Sequence, residues 1–327
     1  MWRALAIGGF LLAAACAAVP ATADTTDLAR LRSRLSVLIA NGDNEEALKL
    51  AQTVVTRVTA IHGPDHLETA RCLCDEARLN ADVGSYLEAL RLYARATSIR
   101  ESQLGLNDPS VADLLVASAG VLQADARSEE AAPLLRRALA IREEQLGAGH
   151  PDTADTLNQL GVCLFAQEAY DEAGALFERC LVIREKILGP MHPNTAQALT
   201  NLGVVYRERE HYEKAKMLVF RAFAIRSKAL GKDHEDTVDS IDDLGMIWLL
   251  EENYEGAEQC FKRVLDFRRS QFGDDDPLVP RTAQLLIAAY RAQGKEDTAA
   301  ALERDLGTAT DTAVPDRDAS AVPQESR

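Results

Sequence analysis

Apolar side chains recur along this chain at helical spacing, in blocks separated by short polar breaks. From Pro151 to Gln167 they fall at Leu157, Leu160, Val162, Leu164 and Phe165, positions that an α-helix gathers on one broad stripe. Ala169 and Tyr170 then lead into a second stripe through Ala173, Phe177, Cys180, Leu181 and Ile183. The pattern predicts a pair of helices, A then B. Arg184 and Lys186 lie late in helix B, where the helix dipole favours cations.

The pair is copied along the chain. Gly63, Gly105, Gly147, Gly189, Gly231 and Gly273 are separated by 42 residues each, and Ala47, Ala89, Ala131, Ala173, Ala215, Ala257 and Ala299 keep the same spacing. Two columns in register identify one supersecondary unit in tandem. Each glycine is expected to end helix B in a left-handed conformation that costs a glycine nothing. Pro109, Pro151, Pro193 and Pro277 then open the next helix A, where a missing amide hydrogen is harmless. The residues before them, Asp108, His150, His192 and Asp276, are candidate caps. A small column of Ala77, Ala119, Gly161, Gly203 and Gly245 is expected to let helices approach, with Tyr86, Tyr170, Tyr212 and Tyr254 filling the space beside it.

The segment GAGHPDTADTLNQLGVCLFAQEAYDEAGALFERCLVIREKIL, Gly147 to Leu188, has a G-x-x-H-P-x-T-A opening, an L-N-x-L-G, a Y-x-E-A and a C-L-x-I-R-E close. In these motifs the chain resembles the tetratricopeptide repeats, in the 42-residue variety of kinesin light chains. The resemblance covers about residues 25 to 306. It implies an all-α fold, a right-handed superhelical solenoid of about seven antiparallel helix pairs with a concave groove lined mainly by helix A. On that basis residues 24–62 are a capping pair, 63–272 five repeat units and 273–307 a closing pair. Kinesin binding is not implied.

The ends read differently. Arg3, the apolar run Ala4 to Val19 and the small residues Ala21, Thr22 and Ala23 have the layout of an export signal over residues 1–23. The run is too short to span a membrane as a folded segment, so no transmembrane segment is expected in the mature chain, which would be periplasmic or secreted. Lipidation at Cys16 and an uncleaved anchor are the alternatives. Residues 308–327, rich in Thr, Asp, Ala, Pro and Ser, are expected to be a disordered tail.

Composition narrows the partners. The formal charge is −15, one unit more negative once Arg3 departs, which disfavours nucleic acid. Five cysteines would remain, Cys72, Cys74, Cys163, Cys180 and Cys260. An odd number does not make a disulfide framework, and Cys163 and Cys180 read as buried thiols. No HExxH, phosphate loop, paired CxxC or nucleophile elbow is present, so neither catalysis nor a cofactor is expected. His62, His66, Cys72 and Cys74 form the one cluster with metal-ligand chemistry. Cys72 and Cys74 would diverge by about 200 degrees on a helix, which argues against a metal site.

By analogy with the family's repeats, the groove positions of helix A are Asp113, Asp155, Gln197 and Asp239 in one column, with Arg71 and Arg281 at its ends. Asn158, Thr200 and Asp242 stand in the next, and Val162, Val204 and Met246 in a third. The expectation is a scaffold binding a protein or peptide segment, preferring Lys or Arg opposite the acidic column. Plain solvated helix walls would carry similar charge. The alternative function is a structural subunit that self-associates in an envelope assembly.

Overall fold

The computed structural model describes residues 21–307. The signal reading falls largely outside these residues, meeting them only at Ala21 to Ala23, and the tail reading of 308–327 lies wholly outside. Among the described residues there are fourteen helices and no strand: α1 (Ala21–Asn41), α2 (Asn44–His62), α3 (Leu67–Asp82), α4 (Tyr86–Leu104), α5 (Pro109–Ala124), α6 (Ser128–Gln145), α7 (Pro151–Ala166), α8 (Tyr170–Leu188), α9 (Pro193–Glu208), α10 (Tyr212–Ala229), α11 (Glu235–Leu250), α12 (Tyr254–Phe272), α13 (Leu278–Ala292) and α14 (Glu296–Asp305). The seven pairs follow the apolar stripes closely: α7 and α8 are the helices A and B of the 147–188 copy.

The chain forms two compact units, one ending at Ile99 and the other beginning at Arg100, within α4. In the first, Leu28 of α1, Val54 and Val58 of α2 and Cys72 of α3 make one apolar cluster. Leu35, Ala47, Ala51 and Leu79 make another. In the second, each helix from α5 to α13 packs on its successor, and α9 also touches α7 and α11. Helices A therefore lie side by side, each sealed from behind by its helix B.

The turns explain the motif. Gly63, Gly189 and Gly273 have φ of 98, 93 and 86° with ψ of 162, 159 and 178°. This is not the left-handed helical conformation expected but the mirror of the extended region, open essentially to glycine alone. It turns the glycine carbonyl toward the next helix, where the Thr of the T-A step donates to it: Thr69 to Gly63 at 2.7 Å, Thr153 to Gly147 at 3.0 Å, Thr195 to Gly189 at 2.9 Å and Thr237 to Gly231 at 2.8 Å. The caps form beside it. His150 Nδ1 accepts from the Asp152 amide at 3.2 Å, His192 from Asn194 at 3.1 Å and Asp108 from Ser110 at 2.9 Å. His66 and His234 cap α3 and α11 in the same way. Asp276 accepts from the Leu278 amide at 2.7 Å, and α13 starts at Leu278, one residue after Pro277.

A second turn column links helix A to helix B. Gly42, Gly84 and Gly294 have φ of 74 to 78°, whereas Ala126, Glu168, Glu210 and Glu252 hold φ of 56 to 61° at the same repeat position. The four middle copies thus carry a side chain where the backbone is left-handed. The small column also departs from expectation in its partner. A Cβ at Gly161 would stand 2.6 Å from Phe177, at Gly203 2.7 Å from Val219, and at Gly245 2.8 Å from Phe261. Helix B residues at 42-residue spacing, not the tyrosines, press into the small column. Tyr170 is instead half-buried against Phe165, ring centres 5.3 Å apart. Phe177 and Phe261 are wholly buried, each contributing about 1.5–3 kcal/mol of burial.

Candidate functional site

Within the second unit, α5, α7, α9, α11 and α13 present one face built from the predicted columns. Its acidic column is not a row of free carboxylates. Buried arginines from the ends of α6, α8 and α12 reach its aspartates. Arg142 of α6 donates through Nη2 to Asp113 Oδ1 of its own repeat at 2.8 Å, and through Nη1 to the Asp152 carbonyl at 2.8 Å and Thr156 Oγ1 at 2.7 Å on α7. Arg184 of α8 repeats this with Asp155 at 2.9 Å, the Asn194 carbonyl at 2.9 Å and Gln197 Oε1 at 2.7 Å. Arg268 of α12 meets Asp239 at 3.1 Å, and Arg226 of α10 reaches the Asp236 carbonyl at 3.1 Å and Ser240 Oγ at 2.9 Å. The Arg142 and Arg184 guanidiniums each join the two helices A on either side of their own helix B.

Arg184 therefore does not serve the helix dipole from the surface, as its place late in helix B suggested: its side chain is only 3% exposed. The reason is geometric. The long stem spans the seam between repeats, and the planar head finds donors' partners fixed on both sides. Arg100, Arg142, Arg184, Arg226 and Arg268 keep the 42-residue spacing without a break, but so do the exposed Arg95, Arg137, Arg179, Arg221 and Arg263, so periodicity marks the column and not its burial.

The site residues divide by accessibility. Asp113 and Asp155 have side chains 59% and 54% exposed despite their arginines, and Gln197, Asp239, Val162 and Met246 are half-buried. Asn158, Thr200, Val204 and Asp242 are buried. Asn158, Thr200 and Asp242 lie about a turn further along their helices than Asp155, Gln197 and Asp239, and Val204 about two turns beyond Gln197. Asn158 Oδ1 accepts from Asn201 Nδ2 at 2.9 Å, linking α7 to α9. The third column also splits, Val204 closing into the core while Val162 and Met246 stay partly open.

Charge concentrates on α11. Asp239, Asp242 and Asp243 lie within about one turn of this helix, facing Arg207 of α9 at 3.8 Å from Asp243, Arg268 of α12 at 3.1 Å from Asp239 and Arg281 of α13 at 3.3 Å from Asp242. Desolvation pushes Asp239 up to about 6 and Asp243 up to about 7 against the pull of Arg268 and Arg207, and it raises Asp242 also. Elsewhere burial pushes the Cys163 and Cys180 thiols up to about 11. In the first unit His62 and His66 stack at 4.8 Å, while Cys72 is buried against Arg32. Among the described residues no three His, Cys, Asp or Glu side chains converge to hold a metal ion. No described helix is long and apolar enough to cross a membrane.

Two family models, both described as tetratricopeptide repeat, match the chain, one over residues 31–102, 110–181 and 152–225 and the other over 237–278. Together they span more than half of it. No curated protein matches. Among solved structures, the chain is similar to a Podospora anserina protein named for kinesin light chain, with nearly identical TPR-like repeats: 23% identity, TM-score 0.56, 63% of this chain and 97% of that one. BtubC (BKLC) from P. vanneervenii has 23% identity and TM-score 0.56 over 74% of this chain and 92% of its own. The signal transduction ATPase with a tetratricopeptide repeat sensor from Pyrococcus horikoshii has 16% identity and TM-score 0.65, over 84% of this chain and 40% of its own.

Proposed function

Because the chain belongs to the tetratricopeptide-repeat family, we propose that it is an exported, non-catalytic scaffold that binds a protein or peptide segment along its helix A face. The observation that carries this reading is the clamped column. Asp113 and Asp155 are each held at a fixed place by a buried arginine yet remain more than half exposed, and the half-buried apolar Val162 lies about two turns beyond Asp155 on α7. Polar groups locked in position around an apolar strip lose little freedom when a ligand docks. Each carboxylate keeps lone pairs not engaged by its arginine, which supports a partner bearing Lys or Arg, at reduced strength because the charge is already partly balanced.

The test is position-specific crosslinking in the exporting host. A photoreactive residue at Val162 should capture the partner, and the same group at Val182, on helix B, should not. Raising salt should weaken capture, since exposed charge pairs are screened over about 8–10 Å. Equal capture at both positions would remove the reading.

A second reading, self-association, is favoured by Val182 and Met217, which leave 65% and 66% of their surface in water on α8 and α10. Light scattering over a range of concentrations separates the two. A mass that stays at one chain removes the second.

A further inference from the structure

Asp242 occupies, in the α11 copy, the column held by Asn158 on α7 and Thr200 on α9. Asn158 finds its partner 43 residues on, at Asn201 of the next helix A. The same step from Asp242 arrives at Leu285 of α13, a buried residue with no donor in its side chain. Asp242 Oδ1 accordingly has no hydrogen-bond partner, although the residue is only 8% exposed. The step from Thr200 arrives at Asp243, and the Thr200 hydroxyl is likewise buried without a partner. Buried polar groups are nearly always bonded, so the orphaned carboxylate oxygen of Asp242, an acceptor, calls for a donor.

The second oxygen of Asp242 is met by Arg281 Nη1 at 3.3 Å. The arginines around this cluster are unequal. Arg207 and Arg268 are buried and tied to further acidic partners, Glu208 at 2.8 Å and Asp276 at 3.9 Å respectively, while the Arg281 side chain is 42% exposed. Its guanidinium can leave for water without stranding a buried charge of its own. A group consisting only of donors, such as an ammonium or a guanidinium, satisfies the Asp242 oxygens and leaves no lone pair of its own buried.

We infer that Asp242 is a receptor for a lysine or arginine side chain of the bound segment, and that Arg281 occupies this receptor in the free protein and is displaced on binding. This rests on the helix A face being the binding face. Arg281 is then a built-in competitor that sets the affinity for basic segments, and Asp242 explains why a costly buried carboxylate stands where the neighbouring copies have Asn and Thr.

The probe is a hexalysine peptide titrated against the full chain by calorimetry. Arg281→Gln is expected to bind it about tenfold more tightly than the original chain, equivalent to about 1.4 kcal/mol, and adding Asp242→Asn is expected to abolish the gain. Arg291→Gln, which removes an arginine of similar exposure from the same helix, controls for net charge. Equal gains from Arg281→Gln and Arg291→Gln, a gain that survives Asp242→Asn, or no binding to any variant overturns the inference. Helical circular dichroism verifies folding, and Arg281→Met, which keeps the packing of the stem, replaces Arg281→Gln if that variant melts early. Partner capture at Val182 rather than Val162 would defeat the binding-face reading while leaving the hexalysine result intact, so the two failures are distinguishable.

Discussion

Arg184 and Asp155, on the second and first helices of one repeat, meet at 2.9 Å with the arginine buried and the aspartate half in water. The two ends of this contact are not equivalent. Arg184 also holds the next repeat through the Asn194 carbonyl and Gln197, whereas Asp155 can exchange its partner for solvent. Arg184→Ala is expected to destabilise by about 3–5 kcal/mol and Asp155→Ala by about 1.5–3 kcal/mol, read from denaturant midpoints. Asp155→Ala costing as much as Arg184→Ala would show that the inter-repeat bonds contribute nothing.

Gly161 of α7 faces the ring of Phe177 on α8 with no room for a Cβ. A Cβ at Gly161 would meet the ring at 2.6 Å, so Gly161→Ala should cost about 1–3 kcal/mol through overpacking. The copy from Gly105 has Ala119 and Leu135 at the same two positions, both wholly buried. Phe177→Leu should therefore recover much of the loss in the double variant. Additive losses in a double-mutant cycle would contradict this.

The two turn columns predict opposite signs for glycine exchanges. Glu168 sits at φ 59°, so Glu168→Gly should raise stability, by about 0.5–1 kcal/mol after the entropy cost of glycine. Gly189 sits at φ 93° and ψ 159°, so Gly189→Ala should lower it by about 1–3 kcal/mol. Melting temperatures of the pair decide. A loss for both would mean that the Glu168 side chain contributes more than its backbone costs.

Acid should strengthen the α11 region. Asp243, desolvated beside Arg207 and the carboxylates of Asp242 and Asp239, is pushed up to about 7, and Asp239 up to about 6. A carboxyl whose folded pKa stands above its unfolded value of about 3.9 binds more protons when folded. Its stabilising contribution is complete below about pH 4 and is lost as pH rises through about 6 to 7. Asp243→Asn should flatten the fall in stability between about pH 5 and 7.5 relative to the original chain. An unchanged slope would place the titration elsewhere.

Much of this was legible in the sequence, because periodicity is a local property. The A and B stripes around Leu157 and Phe177, the capping by His150 and His192, and the burial of Cys163 follow from spacing and from the chemistry of helix ends. The glycine column was also legible, although not its ψ: whether a positive-φ residue is left-handed or extended depends on the carbonyl's partner, here the hydroxyl of Thr153 or Thr195. The binding-face columns were legible as columns. Their exposure was not, since one turn along helix A separates Asp155, open to water, from Asn158, closed in a seam.

By itself, then, the sequence determined the repeat length, the helix pairs and the order in which they stack, since each of these depends on which residues recur at 42 and at 3.6. Tertiary structure alone decided which charges are spent inside the protein. The Arg142, Arg184 and Arg226 heads cross from one repeat to the next, and Asp242 Oδ1 is left without a partner where the residue one step on is Leu285. A charge's partner is set by distances between separate helices, and those distances exist only after the repeats have packed.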